Sequence, residues 1–236
     1  MDRRLNSRAL AAVALCVTLA ACGRSDPGTY IASAQSYIAK AEYRAAIIQL
    51  RNAIKDKPEN AEARFLLAKS LLAVGDASGA ELEIRKAIDF RYPANEALPV
   101  LARSLLQQGQ FNKVVTELGS VQVEGADARA EVSATLALAY LALGRTQDAR
   151  AAVGKAVEAG PANVNARVAE ARVTAFDGDV TRALAQIEAV VAANPGNTDA
   201  LLLKADLESA RGDGSSAAKT LERVIEINPS GTAARF

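Results

Sequence analysis

The sequence predicts an all-α protein built as a solenoid of about six helix-pair repeats. Alanine recurs every 34 or 35 residues, at Ala34, Ala68, Ala102, Ala137, Ala171 and Ala205. A glycine stands seven residues after five of these alanines, at Gly75, Gly109, Gly144, Gly178 and Gly212. Prolines close five units in the same register, at Pro58, Pro93, Pro161, Pro195 and Pro229. Self-similarity at a period of about 20 to 50 residues is typical of stacked repeats, in which each unit is stabilised by its neighbours.

Each of these residue types has a geometric role in a pair of antiparallel helices. Five positions after the glycine position stands a second alanine in five units, at Ala46, Ala80, Ala149, Ala183 and Ala217, with Val114 in the third unit. Because a larger side chain would push two helix axes beyond the usual distance of about 8–10 Å, the two small residues mark the facing sides of the two helices. The glycine ends the first helix in a left-handed conformation, and the proline prevents continuation of the second.

The composition excludes several kinds of active site. The 236 residues include no histidine, so the chain has no Ser-His-Asp or Cys-His catalytic unit and no imidazole metal ligand. Its two cysteines, Cys16 and Cys22, lie near the N-terminus and leave the remainder without a disulfide or zinc site. The formal net charge of +1 does not provide the basic surface that nucleic acids require. We therefore expect no cofactor, metal, nucleic-acid partner or small-molecule substrate. Since no pair of carboxylates stands out either, we expect no enzyme activity.

Residues 1–21 are expected to be a signal peptide. Three arginines precede an apolar stretch over Ala9–Ala21, which at about 1.5 Å per residue is too short to cross a hydrocarbon core of about 30 Å. The stretch ends in Leu19-Ala20-Ala21-Cys22, which resembles the lipobox of bacterial lipoproteins. That resemblance implies cleavage before Cys22, a lipid anchor on its thiol and a linker over 22–26. Gly23 in the next position implies the periplasmic face of an outer membrane. The alternative is an incidental cysteine beside a conventional cleavage site.

The repeats are expected to cover residues 27–231. The units are about 27–60, 61–94, 95–129, 130–163, 164–197 and 198–231, and residues 232–236 would begin a further unit. The third unit is the poorest copy, because Val114 replaces the small residue, no proline closes it, and two glycines interrupt its second half. We expect its second helix to end at Leu118, before an irregular connector. Pro99 is expected in the first turn of a helix, where its missing N–H costs little.

The pattern resembles the tetratricopeptide repeat over about residues 27–231. This resemblance implies a right-handed superhelix whose concave face, lined by the first helix of each pair, binds protein partners. The partner-facing positions of that family are the second, fifth, ninth, twelfth and thirteenth of each unit. Carried onto this chain, they place in the groove Ile31, Gln35, Glu62, Phe65, Lys69, Arg103, Leu106, Arg172 and Phe176. For Phe65 and Phe176, partial burial between stacked helices is an equal alternative. Ile31 and Gln35 stand where chaperone-binding members carry Lys and Asn, so chaperone tails are not expected as partners.

A closer resemblance is carried by the segments Tyr43–Ala53, Ala61–Arg64 and Leu98–Leu106. Together with the lipobox-like segment, they are similar to the tetratricopeptide lipoprotein of the PEP-CTERM/exosortase system. The resemblance implies a lipid-anchored envelope scaffold that assists exopolysaccharide export or the sorting of PEP-CTERM proteins. The alternative is an assembly or pilot factor for an outer-membrane pore or pilus. Members of that family are several times longer, so we expect this chain to be a fragment or a truncated product.

Overall fold

A computed structural model describes residues 27–227 of the chain. This part contains twelve α-helices and no strand: α1 (Pro27–Ala39), α2 (Tyr43–Asp56), α3 (Ala61–Ala73), α4 (Ala77–Asp89), α5 (Ala94–Gln107), α6 (Phe111–Leu118), α7 (Ala126–Ala142), α8 (Thr146–Ala159), α9 (Val164–Phe176), α10 (Val180–Ala193), α11 (Thr198–Ala210) and α12 (Gly214–Ile227). They form six antiparallel pairs, and each pair packs on the next. This architecture confirms the predicted all-α superhelix of helix-pair repeats. The predicted signal peptide, the Cys22 anchor, the linker and residues 228–236 lie outside the described residues.

The small residues lie at the helix crossings, as the register of the repeat predicts. The first-helix alanines from Ala34 to Ala171 are completely buried, and Ala205 is 2% exposed. The second-helix positions are buried too, including Val114 in the divergent third unit. Larger side chains such as Leu50, Ile84 and Ile187 fill the space between crossings. The core therefore runs along the whole array instead of forming one globular centre.

Left-handed residues end the first helix of each pair. Gly75 has a φ of +84°, and the next amide, that of Asp76, donates a hydrogen bond of 2.9 Å to the Leu71 carbonyl. The glycines in the same position of the next four units also have positive φ. In the first unit Ala41 takes this position with a φ of +57°. A residue with a side chain in this conformation costs about 1–2 kcal/mol. The turn between α1 and α2 is therefore more strained than the corresponding turns that contain glycine.

Side-chain caps begin the helices of the second, fifth and sixth units. Asn60, Asn163 and Asn197 accept hydrogen bonds of 2.8–3.0 Å from backbone amides in the first turns of α3, α9 and α11. Asp76, Asp179 and Asp213 do the same for the second helices of those units. A cap of this kind stabilises a helix by about 1 kcal/mol. Helix starts in these units are therefore set by local chemistry.

The third unit departs from the regular repeat. Its second helix, α6, has only eight residues and ends at Leu118, and an irregular connector follows, as predicted. Val123 in this connector is 8% exposed and belongs to the same core cluster as Leu118 of α6. The next helix, α7, begins at Ala126, four residues before the predicted start of the fourth unit. Pro99 lies in the second turn of α5, and not in the first turn as expected, because α5 begins at Ala94.

The packing shows which side of the superhelix is concave. From α3 to α11, the first helix of each unit contacts the first helix of the next, whereas the second helices pack mainly on first helices. When the helices on one side of a stack of repeats lie closer together than those on the other side, the stack curves toward the closer side. The first helices therefore line the inner face, which we call the groove, and the second helices form the outer face.

Candidate functional site

Charged residues lie along the groove in two rows. The second position of the unit is acidic in three units, at Glu62, Glu96 and Asp199, and the ninth position is basic in three, at Lys69, Arg103 and Arg172. The three acidic residues lie in the first turns of α3, α5 and α11, where the helix dipole favours negative charge. The basic residues lie outside the last turns of their helices. Because the helix dipole does not account for the basic row, this row is the more informative sign of a binding preference.

The predicted groove residues differ in how far they are available to a partner. Gln35, Glu62, Lys69, Arg172 and Phe176 are exposed, and Arg103 and Leu106 are half-buried. Ile31 and Phe65 are only 8% and 6% exposed. Burial corrects their assignment as open contact residues, because the fifth position of the unit packs into the core of neighbouring helices. Of the two phenylalanines, Phe65 is the buried one and Phe176 the exposed one.

Phe65 is covered by Tyr92, a residue that the sequence analysis missed. The two rings stack with centroids 4.2 Å apart, and the Tyr92 hydroxyl donates a 3.0 Å hydrogen bond to the Glu96 carboxylate. Burial, followed by this hydrogen bond and the charges of Glu96 and Glu62, raises the pKa of Tyr92. Tyr92 reaches this place because Arg91 is left-handed, with a φ of +63°, and turns the chain back after α4.

Polar contacts connect the aromatic cluster of Phe65 and Tyr92 to the first unit. The Gln35 side-chain amide donates a 3.1 Å hydrogen bond to Glu62, and the Lys69 ammonium lies 5.3 Å from the centroid of the Phe65 ring. Gln35, Glu62 and Lys69 remain exposed above these contacts. At this end of the groove, exposed polar side chains therefore lie above the stacked rings of Phe65 and Tyr92.

Arg103 crosses the groove and pairs with Asp199. The two residues are 96 positions apart, on α5 of the third unit and α11 of the sixth, and these helices do not pack on each other. The contact is therefore made by side chains across the channel. About two fifths of the Arg103 side chain and half of the Asp199 side chain remain exposed. Every other ion pair within residues 27–227 joins residues of the same unit or of neighbouring units.

Arg172 and Phe176 form the most open part of the groove. They lie four residues apart on α9 and so share one helix face. The Phe176 ring is 58% exposed, and Arg172 is exposed without an ion-pair partner in the described part of the chain. Exposed arginine and aromatic side chains are the residue types that carry most energy in protein interfaces. This pair is the best candidate contact point for a partner.

Other kinds of site have less support in the described range. No group of three or more potential metal-binding side chains occurs within residues 27–227. None of the helices described is long and apolar enough to cross a membrane.

Two family models, both described as tetratricopeptide repeat, match the chain. One matches residues 31–96 and 134–175, and the other matches residues 177–235. Together they cover well over half of the chain. They leave out residues 97–133, which contain the short α6 and the irregular connector. No curated protein sequence matches the chain at a significant level.

Solved structures with the same fold include PilF, PilW and human IFIT1. PilF of Pseudomonas aeruginosa matches with a TM-score of 0.58 and 18% identity over 89% of this chain and 95% of that chain. PilW, described as a widely conserved type IV pilus biogenesis factor, matches with a TM-score of 0.58 and 17% identity over 89% and 96%. Human IFIT1 matches with a TM-score of 0.65 and 16% identity over 89% and 53%. At these identities the similarity shows a shared fold.

Proposed function

Because the chain belongs to the tetratricopeptide-repeat family, we propose that it is a non-enzymatic scaffold that binds protein partners through its groove. The observation that carries this proposal is the contrast between crossing and groove positions. The crossing positions are buried in every unit and are alanine except for Val114 in the third, whereas exposed groove positions differ in charge and size from unit to unit. Exposed groove positions that differ from unit to unit provide the differences that recognition of a specific partner requires.

Site-specific photo-crosslinking in cells tests the groove assignment. A photoreactive phenylalanine analogue is placed at Phe176 in the groove or, as a matched control, at Leu82 on the outer face. The two positions are 58% and 55% exposed, so both probes are accessible to water. Adducts with a defined protein are expected from position 176. The same adducts from both positions, or adducts from position 82 alone, would contradict the proposal.

The proposed scaffold is tethered to the bacterial envelope through a lipid on Cys22. The support is the Leu-Ala-Ala-Cys sequence after an apolar stretch. Two or more acyl chains anchor a protein stably, whereas one chain gives only weak and reversible binding. Mass spectrometry of the mature N-terminus should find an acylated Cys22, and Cys22→Ser should release the protein from membranes while Cys16→Ser should not. An unmodified Cys22 would contradict the anchor. The proposed location is the periplasmic face of the outer membrane.

The proposed cellular role is in exopolysaccharide export or PEP-CTERM protein sorting. It is supported by the resemblance of Tyr43–Ala53 and Leu98–Leu106 to the tetratricopeptide lipoprotein of that system. The second candidate is an assembly or pilot factor for a pilus or an outer-membrane pore, which the shared fold with PilW favours. The identity of the protein crosslinked at position 176 separates them. An export or exosortase component supports the first role, and a pilus or secretin subunit supports the second.

A further inference from the structure

The outer face of the first unit carries a basic stripe. Arg44, Ile48, Arg51 and Lys55 occur at i, i+4, i+7 and i+11 of α2, so they lie along one side of the helix. All four are exposed, and Ile48 is 59% exposed. No acidic residue interrupts the stripe, and none of its three cations has an ion-pair partner within residues 27–227. The surface thus combines an excess of positive charge with a central apolar side chain.

The same positions in later units carry at most one cation each. In α4 they are Ser78, Leu82, Arg85 and Asp89, and Arg85 is paired with Glu81 at 2.9 Å and Glu117 at 3.0 Å. In α10 they are Thr181, Ala185, Glu188 and Ala192, and in α12 they are Ser215, Lys219, Glu222 and Glu226. At these four positions the net charge therefore falls from +3 in α2 to −1 in α10 and in α12. A solvated helix face gives no reason for such a gradient.

We infer that the basic stripe of α2 lies on an anionic phospholipid surface. Each Lys or Arg close to such a surface increases membrane partitioning about fivefold, and an exposed apolar side chain between the cations adds to this. The corresponding positions of α10 and α12 lack this excess of positive charge, so the same surface does not attract them. The array is thereby held with its first unit on the membrane and its later units, including Arg172 and Phe176, directed away from it.

The chain length before α1 is consistent with this placement. Residues 22–26 span at most about 18 Å when fully extended. Because α1 and α2 are antiparallel, the end of α2 with Lys55 lies beside the start of α1, at the end where the chain enters from Cys22. This step rests on the proposed lipid anchor, whereas the charge gradient does not.

Lysine acetylation of the full chain, reconstituted into vesicles and read by mass spectrometry, tests the inference. One set of vesicles contains phosphatidylglycerol and phosphatidylcholine, and the other contains phosphatidylcholine alone, so that any tether is the same in both. In anionic vesicles Lys55 should react at least about fivefold more slowly than in neutral vesicles. Lys155 and Lys219, which are exposed on α8 and α12, should react equally in both. The protection should disappear at about 1 M salt, where the Debye length falls to about 3 Å.

Paired variants separate charge from general protection. Arg44→Gln with Arg51→Gln should remove the protection of Lys55, while the control Arg129→Gln with Arg182→Gln should retain it, with circular dichroism confirming that both fold. Equal reaction of Lys55 in the two kinds of vesicle would overturn the inference. Protection that appears without vesicles and grows with protein concentration would also overturn it, because it would assign the stripe to contact with a second copy. Neither result depends on which protein binds the groove, so failure here is distinct from failure of the proposed function.

Discussion

The tight crossing between α9 and α10 can be tested with one substitution placed at two positions. Ala183 is completely buried in α10, in a core cluster that includes Ala171 of α9, whereas Ala185 on the same helix is exposed. Ala183→Leu adds three heavy atoms where two helix axes are about 8–10 Å apart. Overpacking of this kind costs about 1–3 kcal/mol, whereas a surface change such as Ala185→Leu stays within about 0.5 kcal/mol.

Urea denaturation followed by circular dichroism measures this difference. In thermal denaturation of a chain of this size, the same loss of about 1–3 kcal/mol lowers the melting temperature by roughly 2–12 °C. Because repeats are stabilised mainly by their neighbours, hydrogen exchange should increase first in α9, α10 and α11 of Ala183→Leu. Equal midpoints for the two variants, or a larger loss in Ala185→Leu, would refute the assigned register.

Three further predictions concern the turns, the groove and the aromatic cluster. Gly178 has a φ of +92°, so Gly178→Ala should destabilise the protein by about 1 kcal/mol in urea denaturation. Gly154 lies within α8 with open space around it, so Gly154→Ala should stabilise the protein by about 0.4–1 kcal/mol. The opposite order of stabilities would contradict the turn assignment. Arg103→Asp should broaden the distribution of distances between spin labels on α6 and α12, and adding Asp199→Arg should restore the original distribution. An unchanged distribution in the single variant would show that the pair does not set the width of the groove. Tyr92 should lose its proton above the normal range of tyrosine near pH 10, so its contribution to stability is complete below that pH and declines above it. A late rise in tyrosinate absorbance should therefore be absent from Tyr92→Phe, and its persistence in that variant would assign the shift to another tyrosine.

The regular units could be predicted from sequence because their determinants are local and repeated. Ala171 and Ala183 lie at a crossing, and Gly178 is left-handed between them, as the register requires. The asparagine and aspartate caps follow the same rule and could have been found, since Asn197 stands directly before α11 and Asp179 directly before α10.

Two departures came from positions where the local signal was weak. The start of α7 at Ala126 was missed because neither an asparagine nor an aspartate precedes it, and Gly125, with a φ of +84°, marks the boundary instead. Pro99 was expected in a first helical turn, but it is the sixth residue of α5, which begins at Ala94, and therefore lies in the second turn.

The sequence by itself determined the number of helix pairs, the crossing residues and the left-handed turns, because each depends on backbone sterics within one unit. Only the tertiary structure decided that Phe65 is buried beneath Tyr92, that Phe176 is open, and that Arg103 meets Asp199. The reason is geometric. Whether two groove residues face each other depends on the curvature of the superhelix, which is the sum of small rotations between units. The irregular third unit alters that sum, and its rotation is not encoded in the repeat pattern.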